Sequence, residues 1–420
     1  MIVSELYNIF KKSPTICTDS RNIIPNSIFF ALKGENFNGN KFAEKAIQDG
    51  CNFAVIDEQE YLSDKCILVE DVKEYLQKLA TYHRNQVNIP IVGITGTNGK
   101  TTTKELIHTV LSSQYNCYAT KGNLNNQIGV PLSILEINDS HEIAVIEMGA
   151  SEIKEIEKLS NIAQPTSGII TNIGKAHLEG FGTLKGVIEA KTELYKFIEN
   201  QQGIVFVNSE NDLLLEESKS IKRITYGKNS NADYNSKIIN KFPFISLQKN
   251  QLIINSKLIG SFQCYNILAA CAIGNYYNIS DENLKKSIEK YSPKNNRTEI
   301  VKTSKNYIIL DAYNANPSSM KSMIDSFIEL KKENKLCILG EMRELGEYSE
   351  QEHNALFKMM RESEIETIFI GEEFLNISSK NIYKNTAEFL ENIKKVNTKN
   401  RTILIKGSRG IKLEELVEHL

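Results

Sequence analysis

The stretch from Gly93 to Thr102, GITGTNGKTT, combines the residue types that bind a phosphate chain. It follows the apolar run 91–94 and precedes a predicted helix that ends near Leu111. Glycines let the backbone curl so that successive N–H groups point at phosphate oxygens, and the helix N-terminus adds positive potential. Lys100 would place its charge on the β- and γ-phosphates, and the Thr101 hydroxyl suits Mg²⁺. The pattern therefore predicts a nucleoside triphosphate site, the alternative being a glycine-rich turn that binds nothing.

Two further side chains with ligand chemistry follow apolar runs. Glu147 ends the run 144–147, and His177 comes shortly after the run 168–171. Because the carboxyl ends of parallel strands meet at the ligand edge of a sheet, Glu147 could hold Mg²⁺ opposite the phosphate loop. Taken alone, however, such a Glu is usually a solvated strand end, and a single His is more often packed or exposed than a ligand.

The elements that must position these side chains predict an α/β protein of three domains. Strand-length apolar runs alternate with helical segments, which is typical of mostly parallel sheets with helices on both faces. We expect a small α/β domain at residues 1–82 and a central mostly parallel sheet of the P-loop ATPase type at 83–292. A doubly wound, Rossmann-like domain is predicted at 293–420. The polar segment 81–88 is predicted to be a linker, and residues 412–419 to form a helix.

Composition excludes several classes of function. The formal net charge is -2, which gives no electrostatic case for a nucleic-acid partner. No apolar run approaches the roughly 20 residues that span a bilayer, and the N-terminal segment does not have the pattern of a signal peptide. The seven cysteines are scattered and never spaced as CxxC, which fits a reducing compartment and argues against a zinc site. We therefore expect a cytoplasmic protein without membrane insertion, and a monomer.

The loop GTNGKTT at residues 96–102 resembles the Mur ligase superfamily. Its members include muramoyl-peptide ligases, folylpolyglutamate synthases and cyanophycin synthetases, which form amides with ATP by way of an acyl phosphate. The resemblance implies ATP and Mg²⁺ as cofactors. It also implies that the following residues bind ATP: Gly96, Thr97, Asn98, Gly99, Lys100, Thr101, Thr102, Asn266, Arg297 and Asp311.

The same resemblance assigns roles in the central region. It implies that Thr101 and Glu147 hold the Mg²⁺ that bridges the β- and γ-phosphates. His177, in the segment TNIGKAHLE, would ligate a second Mg²⁺ or the transferring phosphoryl group. Lys191, in EAKTEL, would be carbamylated and so become an anion that binds metal, although a lysine in such a helix is ordinarily solvated. Lys100, His177 and Lys191 are accordingly the predicted catalytic residues.

One segment departs from the family pattern. Asn266 is expected to contact adenine, but the His-Asn pair expected before it is replaced by Phe262-Gln263-Cys264-Tyr265. Arg297 is expected to face ATP, and Asp311 to accept hydrogen bonds from ribose hydroxyls.

The string DAYNANPSSM at 311–320 resembles the superfamily members that join D-alanyl-D-alanine to a UDP-N-acetylmuramoyl-tripeptide. The loop 339–346 and the turn KGSRG at 406–410 agree with this. The resemblance implies that the side chains near the incoming dipeptide are Asn314, Asn316 and Arg343. Asn316 is also a suitable N-cap for a helix that begins at a proline, so the two roles can coexist.

The N-terminal region carries the segment TDSR at 18–21, which resembles the part of the family that binds the UDP-muramoyl substrate. Ser20, Arg21 and, in the loop GNLNNQIGVP, Asn126 are the predicted contacts, while Asn40 stands where the family has a His. Two alternatives remain open at this point. One is an amide ligase of the same superfamily that adds a single amino acid, and the other is a non-catalytic nucleotide-binding protein.

Overall fold

The computed structural model describes residues 2–377 and 381–420. Within them the chain folds around three main sheets that follow one another along the sequence, with strands at 16–68, 91–235 and 299–406. The predicted α/β class, with a parallel central sheet, is confirmed. None of the helices in this described part has the length and apolarity that a membrane crossing requires.

The N-terminal region packs three helices against a four-stranded parallel sheet of order β1-β2-β5-β6. Its strands are β1 Ile16–Cys17, β2 Ile28–Phe30, β3 Lys33–Gly34, β4 Phe37–Asn38, β5 Phe53–Ile56 and β6 Cys66–Leu68. Its helices are α1 Val3–Lys12, α2 Ala43–Gln48 and α3 Val72–Gln86. Strands β3 and β4 form a separate antiparallel hairpin.

The prediction of a linker at 81–88 is wrong, because α3 continues through Gln86. Asp71 starts the helix by accepting a hydrogen bond from Glu74 N at 2.7 Å. At its other end His83 and Arg84 are buried despite their polarity. Backbone carbonyl groups satisfy both side chains, among them Ile137 O and Ala163 O, so the polar residues stay helical inside the protein.

The middle region is built on a seven-stranded parallel sheet of order β13-β12-β11-β10-β7-β9-β8. Its strands are β7 Ile91–Thr95, β8 Cys117–Ala119, β9 Ile143–Glu147, β10 Ser167–Ile170, β11 Ile204–Asn208, β12 Arg223–Gly227 and β13 Tyr234–Asn235. A three-stranded antiparallel sheet follows, with β14 Lys237–Asn240, β15 Ser246–Lys249 and β16 Leu252–Asn255. The helices are α4 Lys100–Leu111, α5 Gly129–Leu135, α6 Glu155–Ala163, α7 Leu178–Phe181, α8 Leu184–Asn200, α9 Asp212–Glu217, α10 Gln263–Tyr276 and α11 Asp281–Lys290.

Strand β7 lies between β9 and β10, and this order brings the predicted site residues to one edge of the sheet. Ile94 pairs with Glu147 and Thr95 with Ile170, so the three strands end at the same edge. The loop 96–99, the side chain of Glu147 and the segment that follows β10 therefore meet there. This is the edge at which parallel sheets bind ligands.

The C-terminal region has a six-stranded sheet of order β17-β18-β22-β19-β20-β21, in which only the edge strand β17 is antiparallel. The strands are β17 Glu299–Lys302, β18 Tyr307–Asp311, β19 Lys335–Gly340, β20 Glu366–Ile370, β21 Ile382–Tyr383 and β22 Thr402–Lys406. The helices are α12 Pro317–Glu329, α13 Ser349–Glu362 and α14 Thr386–Asn392.

The helix predicted at 412–419 is a 3-10 helix, Leu413–His419, rather than an α-helix. Leu413 and Leu416 are fully buried. Their three-residue spacing matches the 3-10 repeat, which stacks both side chains on the sheet.

Candidate active site

A cavity of about 780 Å³ lies between the middle and C-terminal regions and is lined by both. Its middle-domain wall includes the phosphate loop, Glu147 and the segment 171–174. Its C-terminal wall includes Arg297, Asp311 and Asn314. The structure thus brings most of the predicted ATP residues and one predicted dipeptide residue to a single cleft.

The phosphate loop is held in shape by the segment after β10. Asn172 bonds the loop at both ends of its amide, accepting from Asn98 N at 3.0 Å and donating to Asn98 O at 2.9 Å. Gly96 has φ +141° and lies so close to Thr171 that a Cβ would overlap its hydroxyl, so only glycine fits. The Lys100 amine donates to Gly96 O at 2.7 Å, and its burial lowers the pKa of this amine. The loop is preformed, with the lysine folded over it.

Thr101 and Glu147 form a carboxylate–hydroxyl pair at the base of the loop. Thr101 Oγ1 donates to Glu147 Oε1 at 3.2 Å, and Asn125 Nδ2 donates to the same oxygen at 2.8 Å. Glu147 Oε2 is buried and lacks a hydrogen-bond partner among the described residues, although Lys104 Nζ lies 3.9 Å away. Oxygen donors with an unsatisfied carboxylate oxygen are what a hard divalent cation such as Mg²⁺ requires. The donor set therefore fits the predicted metal.

His177 lines the cleft and is bonded across it, whereas Lys191 lies behind the wall. His177 Nδ1 is 2.6 Å from Glu344 Oε2 on the C-terminal side, and the hydrogen bond lowers the pKa of Glu344. Lys191 is only 2% exposed, and its amine donates to Ala150 O at 3.2 Å. Burial first, and the charge of Lys100 second, lower the pKa of Lys191 to about 7.

The predicted nucleoside residues form the far end of the cleft. Asn266 packs on Gly99 and donates to Gln263 Oε1 at 2.7 Å. Gln263 belongs to the segment that differs from the family pattern, and it orients the asparagine that is predicted to contact adenine. The guanidinium of Arg297 lies 3.6 Å from the ring centre of Tyr313, a stacked cation–π contact. Asp311 is paired with the buried Lys406 at 2.6 Å.

The three predicted dipeptide residues occupy different environments. Asn314 lines the cleft. Asn316 caps α12 by accepting from Ser319 N at 2.9 Å, and it donates to Asn98 Oδ1 of the phosphate loop at 2.8 Å. Arg343 is 56% exposed at its side chain, lies against Gly410 and is not part of the cleft wall.

The predicted UDP-substrate residues are also divided. Asn126 lines the cleft, where its side chain accepts from Gly129 N at 2.9 Å. Ser20 and Arg21 lie on an exposed loop of the N-terminal region outside the cleft wall, and Arg21 is paired with Asp19 at 2.9 Å. Asn40, at the position where a His was expected, is buried and donates to Asp57 Oδ1 at 2.8 Å.

Sequence reasoning missed four residues that line the cleft and contact predicted site residues: Asn125, Tyr313, Glu344 and Lys406. All four lie inside motifs that the sequence displays, so the signal was present. What it lacked was the contact of each side chain, which joins elements far apart along the chain.

Comparisons with known proteins agree over nearly the whole length of the chain. The family descriptions "Mur ligase family, catalytic domain", "Mur ligase middle domain" and "Mur ligase, glutamate ligase domain" match residues 14–92, 94–274 and 296–409. The UDP-N-acetylmuramoyl-tripeptide–D-alanyl-D-alanine ligase of Bacillus subtilis (strain 168) is 34% identical over 427 residues, covering 96% of this chain and 92% of the relative. The ligase of the same name from Haemophilus influenzae is 32% identical, with coverage of 96% and 93%.

Solved structures show the same similarity. A crystal structure of MurF from Acinetobacter baumannii superposes with a TM-score of 0.87 at 30% identity, covering 96% of this chain and 92% of that one. MurF ligase from Thermotoga maritima, crystallised in complex with ADP, has a TM-score of 0.84 at 26% identity, with coverage of 97% and 96%. The sequence, the fold and the cleft together show that this chain belongs to the Mur ligase family.

Proposed function

We propose that this protein joins D-alanyl-D-alanine to a UDP-N-acetylmuramoyl-tripeptide at the expense of ATP, forming the UDP-linked pentapeptide of peptidoglycan synthesis. Eight relatives whose names state this activity are 29% to 34% identical to the chain. Seven of these eight alignments cover at least 95% of its residues. The observation that carries the proposal is the shared cleft. It sets the phosphate loop opposite Asn314, so that the nucleotide and an incoming amine can meet.

In the first step the terminal carboxylate of the tripeptide attacks the γ-phosphorus of ATP. A carboxyl–phosphate bond forms, the bond to the β-phosphate oxygen breaks, and ADP leaves. Lys100 swings from its contacts with the loop carbonyls to the phosphates, and the N–H groups of the curled loop stabilise the same charge.

In the second step the amine of D-alanyl-D-alanine attacks the acyl phosphate carbon. The amide bond forms, inorganic phosphate leaves with the electron pair of the broken carbon–oxygen bond, and the proton of the amine passes to that phosphate. Water would hydrolyse the acyl phosphate, so the cleft must close during the reaction. The polar contacts between its two walls, such as Asn316 with Asn98, provide for that closure.

Mg²⁺ fits the residues present, and Thr101, Glu147 and Asn125 would hold it directly or through water. When bound, it would neutralise charge on the β- and γ-phosphates. His177 would serve a second ion or the phosphoryl group itself, because it lines the same cleft.

Lys191 is proposed to be carbamylated. CO₂ reacts with a neutral amine, and a pKa of about 7 leaves a large neutral fraction at physiological pH. The added carboxylate would stand beside Ala150, a residue that lines the cleft, and would reverse the charge of the side chain. An anion directly behind this wall of the cleft would then be able to share in holding the metal.

The UDP-muramoyl group is proposed to enter along Asn126, with Ser20 and Arg21 contacting the nucleotide end. Their loop lies outside the cleft, as an elongated substrate requires. We infer that the reaction takes place in the cytoplasm, and the seven free cysteines support this because they fit a reducing compartment.

A panel of amines tests the proposal against its alternatives. The protein is incubated with ATP, Mg²⁺ and UDP-muramoyl tripeptide carrying either lysine or diaminopimelate, and phosphate release is measured with each amine. Release that depends on D-alanyl-D-alanine supports the proposal. Release with single amino acids favours the other ligase type, and nucleotide binding without product from any pair favours a non-catalytic protein.

A further inference from the structure

The contact between His177 and Glu344 joins two regions of the chain that meet only when the C-terminal domain is docked. His177 Nδ1 lies 2.6 Å from Glu344 Oε2. Both residues line the cleft. No second hydrogen bond to the His177 ring occurs among residues 2–377 and 381–420. The Phe181 ring of the same region packs edge-on against it, with centroids 6.2 Å apart, so the hydrogen bond that orients the imidazole comes from a carboxylate of the opposite wall.

The backbone on both sides is shaped for this contact. His177 has φ +50° and Glu344 has φ +62°, a left-handed conformation that is uncommon for residues other than glycine. Glu179 N also donates to Glu344 O, at 3.4 Å, which pairs the two loops directly. Two unusual backbone conformations that face each other and share a side-chain contact indicate a built feature rather than a chance approach.

The loop that carries Glu344 is fixed to the C-terminal domain. Met342 N donates to the buried His353 Nε2 at 2.9 Å, and Glu341 N donates to Ile370 O at 3.0 Å. Because its base is held in this way, the loop moves with the domain. The Glu344 carboxylate therefore reaches His177 only when the C-terminal domain is docked.

We propose that Glu344 is a positioning residue for ligation, which holds His177 by its Nδ1–H and so keeps Nε2 available in the cleft. This inference rests on the proposed function for its kinetic consequence alone. A carboxylate that accepts from Nδ1–H selects one tautomer of a histidine and fixes its ring plane. Since the carboxylate comes from the docked domain, the orientation of His177 is linked to docking.

A second ion pair across the same junction supplies the matched control. Lys175 Nζ lies 2.7 Å from Glu352 Oε1, and neither residue lines the cleft. Replacing Glu352 by Gln weakens the docking of the domains without touching His177. A role of Glu344 in docking alone would make both substitutions equivalent.

Kinetics of Glu344→Ala, Glu344→Gln and Glu352→Gln give the first test. We expect Glu344→Ala to lower kcat by about 10- to 100-fold, the usual effect of losing the partner of a functional histidine. The KM for ATP should change by less than about threefold. Glu344→Gln, whose amide oxygen still accepts from Nδ1–H, should recover part of the loss, and Glu352→Gln should stay within about threefold of the unmodified protein. Full activity in Glu344→Ala, or an equal loss in Glu352→Gln, overturns the proposal.

The tautomer of His177 gives a second test that needs no turnover. In protein labelled with ¹⁵N-histidine, the His177 signal is identified by its disappearance in His177→Gln. We expect Nδ1 to carry the proton in the unmodified protein and the population to move toward Nε2 protonation in Glu344→Ala. A ring protonated at Nε2 in the unmodified protein overturns the proposal. If the unmodified protein makes no pentapeptide but shows the Nδ1 tautomer, the proposed function fails while the positioning contact stands.

Discussion

The two junctions between the three regions of the chain differ in the balance of apolar and polar contacts. Between the N-terminal and middle regions, α3 packs against α5 and α6, and one continuous apolar core includes Leu76 and Leu79 with Ile134 and Ile156. The middle and C-terminal regions share a smaller apolar contact, in which Ile259 joins the C-terminal core, but around the cleft they meet through polar side chains. These contacts are Asn98 with Asn316, Lys175 with Glu352, and His177 with Glu344.

The difference separates a joint with a continuous apolar core from one whose cleft side can open. Burial of apolar surface contributes about 25 cal/mol per Å² and is lost only when the surface returns to water. Partly exposed ion pairs contribute about 0–1 kcal/mol each, because water and salt replace them at little cost. The N-terminal and middle regions should therefore behave as one unit, while the C-terminal domain can release substrates and close again.

Removing the phosphate-loop lysine from the polar cleft should cause the largest loss of activity. We expect Lys100→Ala to reduce kcat by about 1000-fold or more, because it deletes the charge directed at the transferring phosphate. Steady-state ADP release measures the loss. Lys158→Ala, at an exposed position of α6, serves as the control. Unchanged turnover in Lys100→Ala would place the chemistry elsewhere.

Carbamylation of Lys191 should follow pH in a defined direction. At a pH below the Lys191 pKa of about 7 the amine is protonated and cannot react with CO₂. The carbamylated fraction should therefore decrease as pH falls through that value and increase as pH rises. Carbon NMR with ¹³C-bicarbonate measures the carbamate, with Lys191→Ala as the blank. We expect Lys191→Ala to lose about 10-fold or more in kcat, and Lys196→Ala, exposed on the same helix, to retain activity. A carbamate signal that persists in Lys191→Ala contradicts the assignment.

A cavity in the apolar core between the N-terminal and middle regions should lower the free energy of unfolding more than a polar substitution at the other junction. Leu76 is fully buried in the shared core, and we expect Leu76→Ala to lower the free energy of unfolding by about 2–5 kcal/mol. Glu352→Gln at the other junction should change it by about 1 kcal/mol or less. Denaturant unfolding followed by circular dichroism compares the two. Equal losses would remove the distinction between the junctions.

The smallest expected signal is a change of shape. X-ray scattering of the protein with an ATP analogue and tripeptide should show a different curve from the free protein, because substrate entry and closure move the C-terminal domain. Glu352→Gln should shift the free protein away from the docked shape. Identical curves in every state would show that the polar junction does not open.

Local sequence patterns were sufficient where the physics is local. The loop 93–102 and the strand that ends at Glu147 were predictable, because glycine spacing and apolar runs determine them within a few residues. The helical conformation of residues 81–86 was not predictable in this way, because it depends on carbonyl groups of distant segments that bond His83 and Arg84. Polarity alone indicated a linker there.

The site shows the same limit. Motif resemblance named Asn314, which lines the cleft, but it could not tell that Asn316 bonds the phosphate loop or that Arg343 lies outside the cavity wall. The role of Glu344 was equally hidden, because its partner lies in another domain. Which side chains meet across a junction depends on the packing of whole domains, and no short pattern encodes it.

The fate of oxygen from the tripeptide carboxylate tests the central claim most directly. If ATP activates that carboxylate as an acyl phosphate, a tripeptide labelled with ¹⁸O at its terminal carboxylate should transfer one labelled oxygen to each phosphate released, visible as an isotope shift in ³¹P NMR. Phosphate that carries no label while pentapeptide accumulates would contradict the account.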